Sequence, residues 1–300
     1  MGFDQHMPIT LQTATPDSLD EVVEAVALWQ QPGGPVQLHP GDLGWNWCDG
    51  TETLAAAVRA WRRDGQIVAA GMVDDDSGLI RMAIAPSVDA DEAFAARLLA
   101  DLSDPAQGVL PADAGFVEAR AGAAFRELLH RSGWVADEPW TPLTRELTTP
   151  VEDCGLTIEY VDAQHVRDRI LEDRIAVHRA AFPNAKLTLE RWQAMAAGAP
   201  YRRGRCLVGY DDAGNAVAAT TVWSAGDGRP GLIEPLGAHR DYRGRGHGRA
   251  ITVAAAAALQ ELGSSSATVC TPSSNVGGVA AYVSAGFEKQ PAVTDFCRKS

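Results

Sequence analysis

The second half of the chain alternates short apolar runs with longer stretches of helical pattern. Residues 232–238 form a short apolar run bounded by glycines, which predicts a strand, and residues 250–262 contain neither Gly nor Pro and predict a helix. A second strand is predicted at residues 267–271, and a second helical stretch runs to about residue 287. The glycine-rich segment at residues 239–249 therefore joins a strand to a helix.

This glycine-rich segment combines alternating glycines with four arginines. Glycine adopts backbone dihedrals that other residues resist, so consecutive N–H groups can converge on one anion at the helix N-terminus. The arginines stand out because the whole chain has a formal net charge of −13. The pattern therefore predicts a site for a local anion such as a diphosphate. A nucleic-acid surface would need a broad basic face.

Other glycine-rich loops bind phosphates, and their patterns differ from this one. A Walker loop needs a lysine followed by Ser or Thr after its last glycine, and no lysine follows here. A Rossmann loop opens its domain with the pattern GxGxxG, whereas these glycines lie at 244, 246 and 248, near the end of the chain. A dinucleotide-dependent enzyme and a flexible solvated loop stay open as alternatives.

Two ordered motifs in this region resemble those of the GNAT superfamily of acyl-CoA-dependent N-acyltransferases. The first motif is Arg/Gln-x-x-Gly-x-Gly/Ala, and it is matched by Arg243, Gly246 and Gly248. The second is Asn-x-x-Ala-x-x-x-Tyr-x-x-x-Gly-Phe, and it is matched by Asn275, Tyr282, Gly286 and Phe287. The resemblance covers roughly residues 155 to 300. It implies an α/β (α+β) fold with a mixed, mostly antiparallel sheet flanked by helices.

The sequence departs from the family pattern at two positions. Arg240 stands where many members have proline, and Gly278 replaces the usual alanine. Neither change touches the phosphate chemistry. Gly278 is expected to loosen the helix that follows Asn275, because glycine is a poor helix former.

The resemblance implies that the loop amides bind the pyrophosphate of coenzyme A, with acetyl-CoA as co-substrate and no metal. The pantetheine would lie where the fourth and fifth strands of the fold, predicted at residues 232–238 and 267–271, splay apart. It would bond along the edge of the fourth strand. Pro235 suits such an edge because it has no ladder donor, and Gly237 next to it would ease a bulge. The expected coenzyme-binding residues are Gly237, Ala238, Arg240, Arg243, Gly244, Arg245, Gly246, His247, Gly248, Arg249 and Asn275.

The resemblance also implies catalytic roles. Tyr282 matches the general acid that protonates the departing thiolate, and a backbone N–H around Gly237 or Ala238 would polarise the thioester carbonyl. Glu234 is the candidate base, since period-two alternation puts it on one face with Leu236 and Ala238. Two structural interpretations stay open: Glu234 as the ion-pair partner of an arginine, and Tyr282 as a packing residue.

The first half of the chain resembles the second in several short strings. Ile84 and Ala85 occupy the position of Ala238 and His239, and the helix before Gly133 resembles the one before Gly286. The similar offsets predict a tandem duplication, with coincidence of weak strings as the alternative. This predicted architecture resembles that of tandem family members in which only one half is active, such as mycothiol synthase.

The first copy lacks the phosphate loop. At residues 87–92 it has three carboxylates and no glycine, which would repel a diphosphate. We therefore predict a degenerate domain at residues 1–150 and a catalytic domain at residues 151–300. The boundary is predicted in the polar stretch at residues 148–155.

The GNAT resemblance implies that the acceptor site lies under the first helices of the second half. Helices are predicted at residues 165–182 and 189–197. Their acidic residues are either a solvated face or an attraction for a cationic amine: Asp168, Glu172, Asp173 and Glu190. The expected acceptor is a primary amine of a small molecule. A protein or peptide amine and a non-catalytic coenzyme A binding module are the alternatives.

Composition limits the remaining function classes. At 300 residues, 46% hydrophobic and 22% charged, the chain suits two ordinary globular domains. It has no apolar run of membrane length and no signal-peptide pattern, so we expect a cytoplasmic protein with no membrane or nucleic-acid partner. Five scattered cysteines, without CxxC, argue against disulfides and zinc. The scarcity of lysine relative to arginine suggests a GC-rich bacterial source, and the oligomeric state is left open.

Overall fold

The computed structural model describes residues 8–74, 77–111, 115–161 and 169–298. The chain forms two compact units, and each is assembled from separate segments. Among the described residues, the first unit comprises those within 1–29, 52–138 and 294–300, and the second comprises those within 30–51 and 139–293. The predicted domain boundary near residue 150 stays a prediction. The compact units are discontinuous in sequence, because residues 30–51 pack within the second unit and the last strand packs within the first.

Strands and helices both occur in each half of the described chain. Those of the first half are β1 (Thr10–Thr13), α1 (Leu19–Leu28), α2 (Pro40–Asn46), α3 (Thr51–Ala57), β2 (Val58–Arg63), β3 (Gln66–Asp74), β4 (Leu79–Ile84), α4 (Glu92–Ser103), β5 (Gly115–Glu118), α5 (Ala123–Arg131) and β6 (Val135–Glu146). Those of the second half are β7 (Thr157–Tyr160), α6 (Arg169–Ala181), α7 (Leu189–Ala197), β8 (Gly204–Tyr210), β9 (Ala216–Ser224), β10 (Gly231–Ala238), α8 (His247–Glu261), β11 (Ser266–Pro272), α9 (Val276–Ser284), β12 (Glu288–Lys289) and β13 (Val293–Arg298).

The two units repeat one strand arrangement. In the first unit β1, β2, β3 and β4 pair antiparallel in sequence order, β4 pairs parallel with β5, and β13 pairs antiparallel with β5. In the second unit β7, β8, β9 and β10 pair antiparallel in the same order, and β10 pairs parallel with β11, which pairs antiparallel with β6. A helix follows each of β4, β5, β10 and β11. The predicted fold of two tandem copies is confirmed.

Individual elements agree with their predicted limits to within a few residues. Helix α7 has the predicted limits of residues 189–197, and α6 is described from Arg169 because residues 165–168 lie outside the described residues. Helix α8 begins three residues before the predicted start at residue 250. Its N-cap is Gly246, whose φ of 84° places the backbone in the left-handed region.

Trp223, on β9, organises the core of the second unit. Its side chain is buried, and helix α2 lies so close that a Cβ on Gly41 would stand 2.5 Å from the Trp223 Cγ atom. A Cβ on Gly44 would stand 2.5 Å from the Cζ3 atom of the same ring. Glycine at these two positions therefore lets α2 pack directly on the indole.

His39 fixes the start of α2. Its Nδ1 atom accepts a hydrogen bond from the Gly41 N–H at 2.9 Å, so its Nε2 atom carries the proton and donates to the Pro230 carbonyl at 3.2 Å. Burial lowers the pKa of His39 to about 4. The imidazole is therefore neutral at neutral pH, and it ties α2 to the turn before β10.

Replacing Gly41 with alanine is expected to destabilise the protein by about 1–3 kcal/mol, the usual cost of overpacking a filled core. The added methyl group has no room against Trp223. Chemical denaturation of the full chain measures the loss. The matched control is Gly277→Ala in α9, where a Cβ meets no atom within 4 Å and helix propensity favours alanine. Equal losses in the two variants would contradict the packing argument.

Candidate functional site

The strands β10 and β11 separate after two paired positions. Their parallel pairing is limited to Gly231 with Ala267 and Leu232 with Thr268. The corresponding strands of the first unit, β4 and β5, stay paired over three positions. The second unit thus has no pairing between its fourth and fifth strands beyond Leu232 and Thr268, which agrees with the opening that the GNAT resemblance implies.

A bulge in β10 lies beside this opening. Between Ile233 and Leu236 the strand contains one residue more than β9 does. The Glu234 carbonyl accepts a hydrogen bond from the Trp223 indole at 2.7 Å, and the Pro235 carbonyl accepts one from the Thr220 hydroxyl at 3.0 Å. Since proline has no N–H to leave unsatisfied, the bulge keeps its buried polar groups paired.

The bulge corrects two details of the sequence interpretation. Because one residue is added, Leu236 and Ala238 continue the face of Ile233, and period-two alternation from Glu234 does not hold. Gly237 does not form the bulge. It pairs regularly with Ala219. Glycine is instead required at this position by packing, because a Cβ there would stand 2.5 Å from the Cβ of Ala181 at the end of α6.

The end of β10 presents one amide to the opening. The His239 N–H donates to the Val217 carbonyl at 2.9 Å, so it points toward the β9 side. Successive amides of a strand point to opposite sides, and the Ala238 amide therefore points away from β9. Of the two backbone donors proposed from the sequence, Gly237 and Ala238, this geometry favours Ala238.

The loop after β10 leads into α8 through two left-handed glycines. Gly244 and Gly246 have φ values of 77° and 84°, and a Cβ at either meets no atom within 4 Å. The first α-helical hydrogen bond of α8 runs from the Ala250 N–H to the Gly246 carbonyl. The amides of residues 247–249 precede it, at the positive end of the helix dipole. Gly248 differs, since it approaches Ala281 of α9, with its Cβ position 3.6 Å from the Ala281 Cβ.

Three of the four loop arginines bind the carboxyl ends of neighbouring helices. Arg240 donates to the carbonyls of Arg179 and Ala180, at 3.1 and 2.9 Å, and Arg243 donates to that of Ala181 at 2.9 Å. Both guanidinium groups therefore cap α6 and tie the loop to it.

The other two arginines have different surroundings. Arg249 donates to the Ser284 carbonyl, the last residue of α9, at 2.9 Å. Arg245 is exposed and lies over the ring of Tyr242, 5.5 Å from its centroid. The expected contacts of these arginines, and of His247, with a diphosphate stay predictions. Helix capping is a role that the sequence did not suggest.

Tyr282 is a buried residue of α9, the helix that follows β11. It is 8% exposed and packs against Phe287, with 6.0 Å between ring centroids. Burial raises the pKa of its hydroxyl, and the negative charge of Glu234 raises it further. The structure thus brings these two predicted catalytic residues within electrostatic reach of each other. A phenol is protonated at neutral pH even without this shift, so the higher pKa keeps the proton in place but makes the hydroxyl a weaker acid.

Asn275 is the N-cap of α9. Its side-chain carbonyl accepts a hydrogen bond from the Gly278 N–H at 3.1 Å, and its amide donates to the Thr271 hydroxyl at 3.0 Å. A Cβ on Gly278 would stand 2.8 Å from the Asn275 Cγ atom. The expectation that Gly278 merely loosens this helix is therefore incomplete, because glycine makes room for the capping side chain.

The first unit fills its own helix N-termini with carboxylates. Asp89 accepts hydrogen bonds from the amides of Gly122 and Ala123, at 2.9 and 3.1 Å, where α5 begins. Asp91 accepts one from the Phe94 N–H at 2.8 Å in α4, and this bond lowers the pKa of Asp91. Internal carboxylates thus occupy the places where a bound anion would accept the same bonds.

A pocket of about 540 Å³ lies in the second unit between the bulge of β10, helices α6 and α7, and the end of α2. Its aromatic lining comes from Trp45, His178 and Phe182, and its charged lining from Asp49, Lys186 and Arg191. The sequence interpretation missed the contribution of residues 45–49, which lie in the half assigned to the other domain. No local pattern signals this contribution, because Gly41 and Gly44 of the same helix pack on Trp223, which is distant in sequence.

The acidic residues predicted to attract the acceptor lie elsewhere. Asp173 accepts a hydrogen bond from the Tyr210 hydroxyl at 2.8 Å and pairs with Arg169 at 3.3 Å. Neither it nor Glu172 or Glu190 lines the pocket. Asp168 lies outside the described residues.

Within the described ranges, no three His, Cys, Asp or Glu side chains are grouped as around a metal ion. The helices of the same ranges include none that is both long enough and apolar enough to cross a bilayer.

The fold is similar to that of known acetyltransferases. Residues 167–287 match the model of the acetyltransferase (GNAT) family. A GCN5-related N-acetyltransferase from Sphaerobacter thermophilus aligns over 97% of this chain and 96% of its own, with 17% identity and a TM-score of 0.54. A tandem GNAT protein from the clavulanic acid biosynthesis pathway aligns over 97% and 98%, with 14% identity and a TM-score of 0.63. No curated protein sequence matches the chain significantly.

A GNAT-family acetyltransferase from Colwellia psychrerythraea aligns over 98% of this chain and 100% of its own, with 14% identity and a TM-score of 0.61. Residues 167–287 therefore belong to the GNAT acetyltransferase family, and the chain has the fold of a tandem GNAT protein. The family match supports acetyl transfer from an acyl-CoA as the general kind of activity. This result favours the acetyltransferase hypothesis over the dinucleotide-dependent enzyme that the sequence left open.

Proposed function

We propose that this protein transfers an acetyl group from acetyl-CoA to a primary amine of a small molecule, by direct attack in a ternary complex. The observation that carries the proposal is the opening between β10 and β11, which has the α8 amides at one end and Tyr282 on the helix that follows β11. The coenzyme would bind once per chain, because the first unit fills its helix N-termini with Asp89 and Asp91.

The proposed reaction needs three groups from the protein. Glu234 takes a proton from the amine, directly or through water, and the neutral nitrogen attacks the thioester carbonyl. The Ala238 amide donates a hydrogen bond to the oxyanion that develops on that carbonyl oxygen. When the carbon–sulfur bond breaks, Tyr282 gives its proton to the thiolate, which leaves as coenzyme A. The nitrogen, positively charged after attack, loses one proton to water, and the Tyr282 phenolate takes a proton back from water.

The pocket supports a small acceptor over a protein or peptide amine. Its volume of about 540 Å³ lies within the range of small-molecule sites, and it reaches Pro235 in the bulge of β10. The burial of Tyr282 beside Glu234 supports an enzyme over a non-catalytic coenzyme A binding module. The cytoplasmic location and the bacterial source expected from the sequence stay predictions.

The test combines binding and turnover. Calorimetry with coenzyme A is expected to give one site per chain, and acetyl-CoA with a panel of primary amines is expected to release free thiol together with a product heavier by one acetyl group. Two equal coenzyme sites would overturn the assignment of the first unit. Coenzyme binding without any acetylated amine would instead support the alternative of a non-catalytic coenzyme A binding module.

Glu234→Gln is expected to flatten the acidic limb of the pH–rate profile and to leave coenzyme A affinity unchanged. A carboxylate base is lost as the pH falls through its pKa, whereas an amide cannot take the proton at any pH. The measurement is kcat/KM as a function of pH, with the exposed Glu288 of β12, changed to Gln, as the matched control. A profile identical to that of the unmodified protein would return Glu234 to a structural role.

A further inference from the structure

The acceptor pocket has an unusual charge for this chain. The sequence has a formal net charge of −13, but the pocket is lined by two cationic side chains and one carboxylate. Arg191, in the first turn of α7, donates to the Asp49 carboxylate at 2.6 Å and to the Cys48 sulfur at 3.3 Å. Asp49 is therefore already neutralised by a residue of the same pocket.

Lys186 supplies the excess charge. It lies in the connection between α6 and α7, is exposed, and forms no ion pair with any residue that the structure describes. The ammonium group at the pocket edge is thus available to a ligand. The charges of Arg191 and Asp49 cancel, so Lys186 leaves the lining with a formal charge of +1.

A buried guanidinium adds to the positive field behind the pocket wall. Arg174 of α6 is 1% exposed and donates one hydrogen bond, to the Thr221 hydroxyl at 3.1 Å, while its Nε atom has no acceptor in the described structure. One turn further along the helix, His178 lines the pocket. Burial and the charges of Arg174 and Arg179 lower the pKa of His178 to about 3, so the imidazole adds no charge at neutral pH.

We propose that the acceptor is an amine that also carries a carboxylate, which Lys186 and the Arg191 guanidinium bind. The rings of Trp45, His178 and Phe182 would then contact its apolar part. This inference rests on the proposed transfer to a small-molecule amine and narrows its substrate class. It replaces the sequence-based expectation that acidic side chains of α6 and α7 attract a cationic acceptor.

A positive pocket suits the chemistry of amide formation. The nucleophile must be a neutral amine, and nearby cations disfavour the ammonium form, which lowers the pKa of the amine. The carboxylate of the same molecule gains a charge-assisted hydrogen bond. The site thus attracts the substrate through its anionic end, away from the nitrogen that reacts.

The experiment uses the full-length protein, acetyl-CoA and matched amines. L-Phenylalanine is compared with L-phenylalaninamide and 2-phenylethylamine, and L-leucine with L-leucinamide and 3-methylbutylamine, each as kcat/KM per neutral amine with the product identified by mass. We expect an advantage of about tenfold for the carboxylates, the scale of one charge-assisted hydrogen bond. Lys186→Ala is expected to remove it through KM, and Lys186→Glu to reverse it.

The controls separate this inference from the proposed function. Lys289→Ala removes an exposed lysine of β12 and is expected to leave the advantage intact. Acetylation of the amines without a preference for carboxylates, or a preference that survives Lys186→Glu, would overturn the inference and leave the proposed function standing. No acetylation of any amine would overturn both.

Discussion

Tyr282→Phe is expected to lower the acetyl-transfer rate by roughly 10²- to 10⁴-fold, the usual scale for a general acid, without weakening coenzyme A binding. The ring would remain packed against Phe287, so the fold of α9 should be unchanged. The hydroxyl would be lost, and the thiolate would have to leave unprotonated or take its proton from water. Steady-state kinetics and calorimetry on the same preparation measure the two effects.

The matched control is Tyr160→Phe in β7, an exposed tyrosine whose hydroxyl lies 3.5 Å from the Glu261 carboxylate. It should leave the transfer rate unchanged. A Tyr282→Phe variant as fast as the control would assign the proton to another group or to water. It would also restore the interpretation of Tyr282 as a packing residue.

Gly246→Asp is expected to abolish coenzyme A binding. Gly246 is the N-cap of α8 with a φ of 84°, so any side chain strains the backbone, and a carboxylate there places negative charge where the diphosphate is predicted to bind. Gly246→Ala keeps the strain and adds no charge, so the difference between the two variants isolates the electrostatic effect. Calorimetric titration with coenzyme A is the measurement.

Gly133→Asp provides the control in the first unit. Gly133 has a φ of 85° and a Cβ there meets no atom within 4 Å, so the backbone strain matches that at Gly246. Coenzyme affinity should be unaffected, because the predicted cradle is in the second unit. Unimpaired binding by Gly246→Asp, or equal losses in both aspartate variants, would refute the assigned diphosphate site.

Much of the fold could be predicted because its signals are local. The Asn275 side chain accepts a hydrogen bond from the amide three residues ahead, and Gly246 permits the left-handed backbone just before α8, so both residues mark a helix start in the sequence itself. The repeat was readable for the same reason: Gly133 and Gly286 both end a helix with left-handed φ values, 85° and 82°. The roles of the site residues inferred from the GNAT motifs stay predictions, which the experiments above test.

The sequence by itself thus determined the tandem α/β fold and the position of the glycine loop, because helix caps, left-handed glycines and apolar periodicity act over a few residues. Only the tertiary structure decided the face of Glu234, since the bulge is held by Trp223 and Thr220 on the neighbouring strand. It also decided that Arg240 and Arg243 cap α6 and that Trp45, Asn46, Cys48 and Asp49 line the pocket beside the β10 bulge. These contacts join residues more than ten positions apart, and no local pattern records which of many possible partners will pack together.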